Sequence, residues 1–223
     1  MIVSAPSRPS SPVLARMVAI EGPRGVGKTT ITAHLRAALG CGGTAADQAP
    51  VADSGSPGGD WRGEFETRMH RLLTASGMCD QPEHAPVFVV DGYVRTAAAS
   101  HADEHDLPTY RVERLLIDHR ALLRTPLTIC LTASVDTLAR RLREKEGAQP
   151  QDLVLAASPK RLGRMVEYHG PYGQSPAPGT VIHTEDRTPD QVLTQVLDVL
   201  ARHRIHPRNG APSQVRARLP TLV

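Results

Sequence analysis

Aromatic residues are scarce in this chain: one Trp, four Tyr and two Phe make up 3% of its 223 residues. A buried core must therefore be built from Ala, Val, Leu and Ile. Cysteine is equally sparse. Cys41, Cys79 and Cys130 are widely spaced and form no C-x-x-C pair. That argues against a disulfide framework or a thiolate zinc site and fits free thiols in a reducing cytoplasm. No apolar run is long enough to span a membrane, and the opening MIVSAPSRPSSPVLAR lacks the continuous apolar segment of a signal peptide. Neither sign of charge dominates. Lys and Arg total 26 against 23 Asp and Glu, a net +3, too little to argue for a nucleic-acid partner. The length suits one sizeable α/β domain and is short for two. The expectation is a soluble cytoplasmic protein with neither a nucleic-acid nor a membrane partner.

One stretch does carry a strong signal. Residues 17–30 read MVAIEGPRGVGKTT. Met17 to Ile20 is a short apolar run, and Gly22, Pro23, Arg24, Gly25, Val26, Gly27, Lys28 and Thr29 fit G-x-x-x-x-G-K-[ST] without a mismatch. Ile31, Leu35 and Leu39 then recur at helical spacing. The motif thus lies between a strand and a helix, the setting its chemistry needs. Glycines let the backbone curl so that its N–H groups face phosphate oxygens. The N-terminus of the following helix adds partial positive charge. Lys28 is expected to reach the β- and γ-phosphates of ATP, and Thr29 to give its hydroxyl to Mg²⁺, with Thr30 closing the loop.

Along the chain, residues 1–15 are Ser/Pro-rich and read as a disordered tail. Residues 41–60 are rich in Gly, Ala, Asp and Pro and hold at most one weak strand, near 50–52. Helical spacing returns from Trp61 to Ala75. The run Val87 to Asp91 is a buried strand. Arg95 to Ser100 begins a helix, Leu107-Pro108 breaks it, and periodicity resumes from Tyr110 to Leu123. Leu127 to Leu131 is a further strand, capped by Thr132 to Ser134 into a charged helix from Val135 to Glu146. Residues 147–159 read as loop, 160–168 as helix, and 170–179 as a Gly/Pro-rich loop. Thr180 to His183 is the last strand, Thr188-Pro189 opens the last helix, and 204–223 reads as a flexible tail. Alternating strands and helices predict an α/β fold, with a parallel sheet of about five strands covered on both faces. Ligands are then expected along the edge formed by the strand C-termini.

The segments AIEGPRGVGKTT, VFVVDGY, LTASVDTLARRLREKEG and the final strand with its helix occur in one order. That order resembles the thymidylate kinase and deoxynucleoside kinase superfamily, and the G-P-x-G-x-G-K-T-T form is similar to the viral-type thymidine kinases. The resemblance covers most of residues 17–203 and is absent in 41–60. It implies a three-layer P-loop NTPase fold, a kinase domain over 16–203 with a lid near 143–160, ATP and Mg²⁺ as cofactors, and a nucleoside or nucleoside monophosphate as acceptor. Family members are often dimers through helices beside the third strand, and Tyr110 to Leu123 is apolar enough to serve a homodimer.

The resemblance also assigns roles. The family ends its third strand in D-R-[YHS] or E-R-S. Here Asp91 and Tyr93 match, and Gly92 stands where the Arg is usual. Asp91 is expected to order Mg²⁺. Arg95 either reaches the place of the missing Arg from another backbone position or faces away. In the family's lid helix, A-x-x-R-[IL]-x-x-R supplies cations for the transferring phosphoryl. Arg141 is the first candidate and Arg143 the second, with Lys145 where the second Arg is usual. The alternative is a solvated helix face paired to Glu144 and Glu146. Arg24 is either an arginine finger within the loop or an exposed loop residue. Glu21, matching the family's acid before the loop, lies near sugar or metal, or is simply a charged strand end. A general base for the acceptor hydroxyl is sought at Asp53, Asp60 or Glu64. Trp61 and Arg62 beside them suit base stacking and phosphate, or else mark a helix start with Trp61 buried.

Other signals count for less. His101 and His105 in HADEH are four apart, a spacing able to hold metal, yet the order is not H-E-x-x-H and reads as a polar helix face. Tyr168 to Tyr172 reads as a turn. Two further readings stay open: a kinase for another small molecule such as an antibiotic or sugar, and a non-catalytic nucleotide-binding regulator.

Overall fold

In the computed structural model, residues 17–40, 62–63, 65–67, 69, 87–108, 111, 127–169 and 180–205 are described. The two tails through 16 and from 206, the strand expected near 50–52, Trp61, Asp53, Asp60, Glu64, most of 110–123, and 170–179 lie outside them.

Strand β1, Met17–Glu21, is buried along its whole length, which only a central strand covered on both faces achieves. It pairs in parallel with β2, Phe88–Asp91, and with β3, Leu127–Thr132. Strand β4, Thr180–His183, adds in parallel to β3. Among the described residues the sheet has four strands in the order β2-β1-β3-β4, against the expected five or so. The chain moves to one side of β1 and then to the other. The crevice between β1 and β3 is therefore a topological switch point, where open α/β sheets bind ligands.

The register sorts side chains by face, because alternate residues of a strand point oppositely. Ile20 is level with Asp91 and Ile129, and Glu21 with Cys130. Helix α1, Lys28–Leu39, buries Ile31, Leu35 and Leu39 against the Val18 and Ile20 face. Its Arg36 donates from Nη2 to the Val89 carbonyl at 2.6 Å, tying α1 to β2. Helix α6, Pro189–Arg202, packs beside α1. Thr188 and Gln191 cap its start reciprocally, at 3.3 and 2.9 Å, with Pro189 in the first turn. The other layer holds α2, Val94–Glu104; α3, Val135–Glu144; α4, Pro150–Ala156; and α5, Pro159–His169. Helix α3 starts at Ser134, whose side chain accepts from the Thr137 N–H. It ends two residues before the expected Glu146. The near absence of aromatics shows in the packing: the main core cluster is Val, Leu, Ile, Ala and one Met.

Helix α4 corrects the expectation of a loop over 147–159. Pro150 sits in its first turn, and the Asp152 carboxylate accepts the Gln149 N–H at 3.2 Å. Leu155 and Ala156 are buried in the main core, so two apolar residues and a local cap suffice for two helical turns. Asp152 also receives Lys145 Nζ at 2.8 Å and lies 3.5 Å from Arg24 of the phosphate loop. It thereby fastens α4 to the end of α3 and to that loop.

Burial alone would raise the Asp152 pKa. The Lys145 and Gln149 hydrogen bonds and the charges of Lys145 and Arg24 outweigh it and hold the carboxyl below its ordinary 3.8. A lowered folded-state pKa contributes stability that is present above the ordinary value and lost as pH falls through the folded one. Asp152→Asn is expected to cost about 1–2 kcal/mol at neutral pH, read by urea unfolding, with the difference from the native chain shrinking below pH 3.8. An unchanged gap in acid would contradict this ion-pair assignment.

Candidate phosphate-binding site

The loop after β1 is shaped by two glycines. Gly22, at φ 148°, passes so close to β3 that a Cβ there would meet the Leu131 carbonyl oxygen at 2.4 Å. Gly27, at φ 99°, is the left-handed N-cap of α1. It offers no side-chain cap, and the first turn of α1 carries no acid. The α1 N-terminus thus keeps its partial positive charge and its orphan N–H groups for an anion. Val26 is buried under the loop, while Thr29 and Thr30 are exposed. Pro23 is buried and Gly25 packs against Leu142 of α3.

Lys28 Nζ folds back to the carbonyls of Gly22 and Pro23 at 2.7 and 3.0 Å. Burial lowers its pKa from the ordinary value, against the opposing pull of Asp91 and Glu21. A cation bound only to two neutral carbonyls has charge to spare for a phosphate. Thr29 Oγ1 donates to Asp91 Oδ2 at 2.6 Å. These are two hard oxygens, side by side, at the C-terminal end of the sheet. They fit Mg²⁺, which takes one or two protein oxygens and completes its shell with water and phosphate.

Glu21 faces the opposite side of the sheet from Asp91. It is almost fully buried, and its oxygens accept the Arg95 and Thr96 N–H groups at 3.0 and 2.8 Å and the Thr96 hydroxyl. In this structure Glu21 caps the N-terminus of α2. Arg95 turns its Nη1 to Cys130 Sγ at 3.6 Å, behind the position of Gly92. Burial raises the Cys130 pKa, with the Arg95 charge opposing. Tyr93 is buried among Met17, Ala19 and Val90.

The lid candidates are separated. Arg141 holds Thr184 through its hydroxyl at 2.9 Å and its carbonyl at 2.8 Å. Arg143 donates to the Ala156 carbonyl at 3.2 Å, at the end of α4. Glu185 joins the first of these contacts to α3 by accepting from the hydroxyls of Ser134 and Thr137. Arg24 reaches Asp152, as described. Arg62 is helical and exposed.

Sequence reasoning missed three members of this neighbourhood. Thr96, which donates to the Glu21 cap of α2, and Asp152, which caps α4, are legible only once those helices are known. His169 ends α5 fully buried. Its Nδ1 donates to the Met165 carbonyl at 2.8 Å, leaving Nε2 as the lone-pair nitrogen. Burial, helped by the charges of Lys28 and Arg95, lowers its pKa to about 3, so the ring is neutral at ordinary pH. No sequence pattern marks it.

No protein-family model matches the chain, nor does any curated protein sequence. Solved structures do. Deoxyadenosine kinase from M. mycoides with bound dATP superposes with a TM-score of 0.54 at 18% identity, over 83% of this chain and 99% of that one. The same enzyme with bound dCTP gives 0.54 at 14% identity, over the same shares. At these identities the match speaks to shape. With the parallel sheet, the flanking helix layers and the phosphate loop, it establishes that this chain has the fold of the deoxynucleoside kinase-like P-loop kinases.

Proposed function

We propose that the chain is a phosphotransferase that passes the γ-phosphoryl of ATP to a nucleoside or nucleoside monophosphate. The observation that carries this is the uncapped, acid-free N-terminus of α1 with Lys28 and the Thr29–Asp91 pair at one strand edge. The neighbouring fold of an enzyme solved with bound dATP and dCTP supports a nucleoside-like acceptor.

Mg²⁺, when bound, neutralises charge on the β- and γ-phosphates. Gly22, Pro23, Arg24, Gly25, Val26, Gly27, Lys28, Thr29 and Thr30 cradle the triphosphate through their backbone. Lys28 exchanges its two carbonyl partners for phosphate oxygens. Thr29 and Asp91 are the residues that would hold the metal. Asp91 is already aimed at Thr29, so this half of the site is pre-organised. Arg24 swings from Asp152, and the 143–160 lid closes over the phosphates to exclude water. In this role Arg141 and Arg143 leave Thr184 and Ala156 for the phosphoryl oxygens as the lid moves. Acceptor binding falls to Glu21, Tyr93 and Arg95 at the start of α2, with Trp61 and Arg62. Glu21 and Tyr93 act there by fixing the start of α2. A homodimer through 110–123 stays part of this reading; most of that segment lies outside the described residues.

One observation favours a second reading, a nucleotide-binding regulator. The family's Arg is replaced by Gly92, and Arg95 is turned to Cys130. A coupled ADP-release screen over nucleosides and monophosphates separates the two. Acceptor-dependent release supports transfer, and stoichiometric ATP binding without it supports regulation.

Two variants test the roles. Lys28→Ala is expected to lower turnover about 100-fold or more while circular dichroism stays native. Near-normal turnover would remove Lys28 from the mechanism. Asp91→Asn is expected to raise the Mg²⁺ concentration for half-maximal activity about 10-fold. An unchanged Mg²⁺ curve would show that Asp91 does not hold the metal.

A further inference from the structure

We propose that His101, Glu104 and His105, on the last turn of α2, form a binding site for a divalent transition-metal ion of the zinc class. Their ligand atoms all lie within 4.8 Å of one another. The two imidazoles are neighbours, with centroids 4.5 Å apart and planes tilted by 51°. The order along the chain is H-x-x-E-H, which sets all three donors on one helical face. HADEH is not H-E-x-x-H; its acid, Glu104, stands directly before the second histidine.

The turn that carries these residues is rigid. The His105 N–H bonds the His101 carbonyl at 3.2 Å, and the Leu107 N–H closes back to Ala102 at 2.8 Å. Asp106 takes the left-handed conformation at φ 48° that ends the helix. The two other carboxylates of the turn are engaged on α5. Asp103 is held by Arg161 at 2.8 and 2.6 Å, and Asp106 by Arg164 at 2.9 Å. These ion pairs clamp the turn to α5, and Glu104 is the carboxylate placed beside the two imidazoles.

The surroundings suit a cation. The C-terminal end of a helix carries partial negative charge. His101 is buried, with Phe65 5.3 Å from its ring, so one ligand is fixed at the floor of the site. Glu104 is exposed and His105 half-buried, which gives an ion a path from solvent. Zinc sits about 2.0–2.1 Å from N and O ligands, with three protein donors and an open fourth position for water. Binding requires the donors, now within 4.8 Å of one another, to close to that spacing, with Glu104 and His105 the two not fixed by full burial. Two imidazoles select zinc, copper or nickel over magnesium and calcium. The Thr29–Asp91 oxygens make the opposite choice, so the two sites take different metals.

The test is calorimetric titration of the full chain with Zn²⁺ in the presence of a large excess of Mg²⁺. The native chain should take up an equivalent of Zn²⁺ that Mg²⁺ does not displace. His105→Ala and Glu104→Gln should each weaken that equivalent about 10-fold or more. Glu104→Gln changes an exposed group and His105→Ala a half-buried one; circular dichroism checks that each variant keeps the native fold. His203→Ala, an exposed histidine at the end of α6, should leave it unchanged. Absence of saturable uptake, displacement by Mg²⁺, or equal affinity in His105→Ala would each overturn the proposal.

Discussion

The structure turns on a steric constraint at one residue. The chain leaves β1 over the end of β3 with no room for a side chain at residue 22, where a Cβ would stand 2.4 Å from the Leu131 oxygen. Only glycine passes there, and at φ 148°. That crossing sets where the loop begins, and Gly27 sets where α1 starts. Between them the loop is obliged to wrap around the open end of a helix dipole. Lys28 then folds back on the loop carbonyls of Gly22 and Pro23.

The pleat of the sheet divides the remaining work. Asp91 is level with Ile20 and points to the α1 side, where it meets Thr29. Glu21, one residue on, points to the other side and caps α2. One carboxylate is therefore left for a metal, and the other is consumed in placing a helix. Arg95, brought in by that helix, lies against Cys130 on the same face as Glu21. The two layers meet the phosphate loop from opposite sides, and Asp152 fastens the loop to the outer one.

Much of this was legible because it is local. The phosphate loop, the buried runs of β1, β2 and β3, the Thr188-Pro189 helix start and the Ser134 cap are each written in a few consecutive residues. What was illegible depends on partners far along the chain. The Glu21 contact to Thr96 spans 75 residues, and the Arg141 contact to Thr184 spans 43. No spacing rule links them. The lid arginines look like a cationic pair in sequence, yet i and i+2 point to opposite sides of α3, and they bind different carbonyls. Helix α4 was hidden because only Leu155 and Ala156 of its seven residues enter the apolar core, too few to make a period. Tyr93 reads as a motif residue, yet β2 ends at Asp91, Gly92 turns the chain at φ 72°, and Tyr93 enters the apolar cluster of Met17, Ala19 and Val90.

The central claim is that the Gly22 to Thr29 loop holds a polyphosphate and that Lys28 is waiting for it. A crystal structure with Mg²⁺ and a non-hydrolysable ATP analogue tests this most directly. The account predicts Lys28 Nζ released from the Gly22 and Pro23 carbonyls and seated on the terminal phosphates, with the metal between Thr29 and Asp91. A loop that keeps Lys28 on its own carbonyls while the analogue binds elsewhere would contradict it.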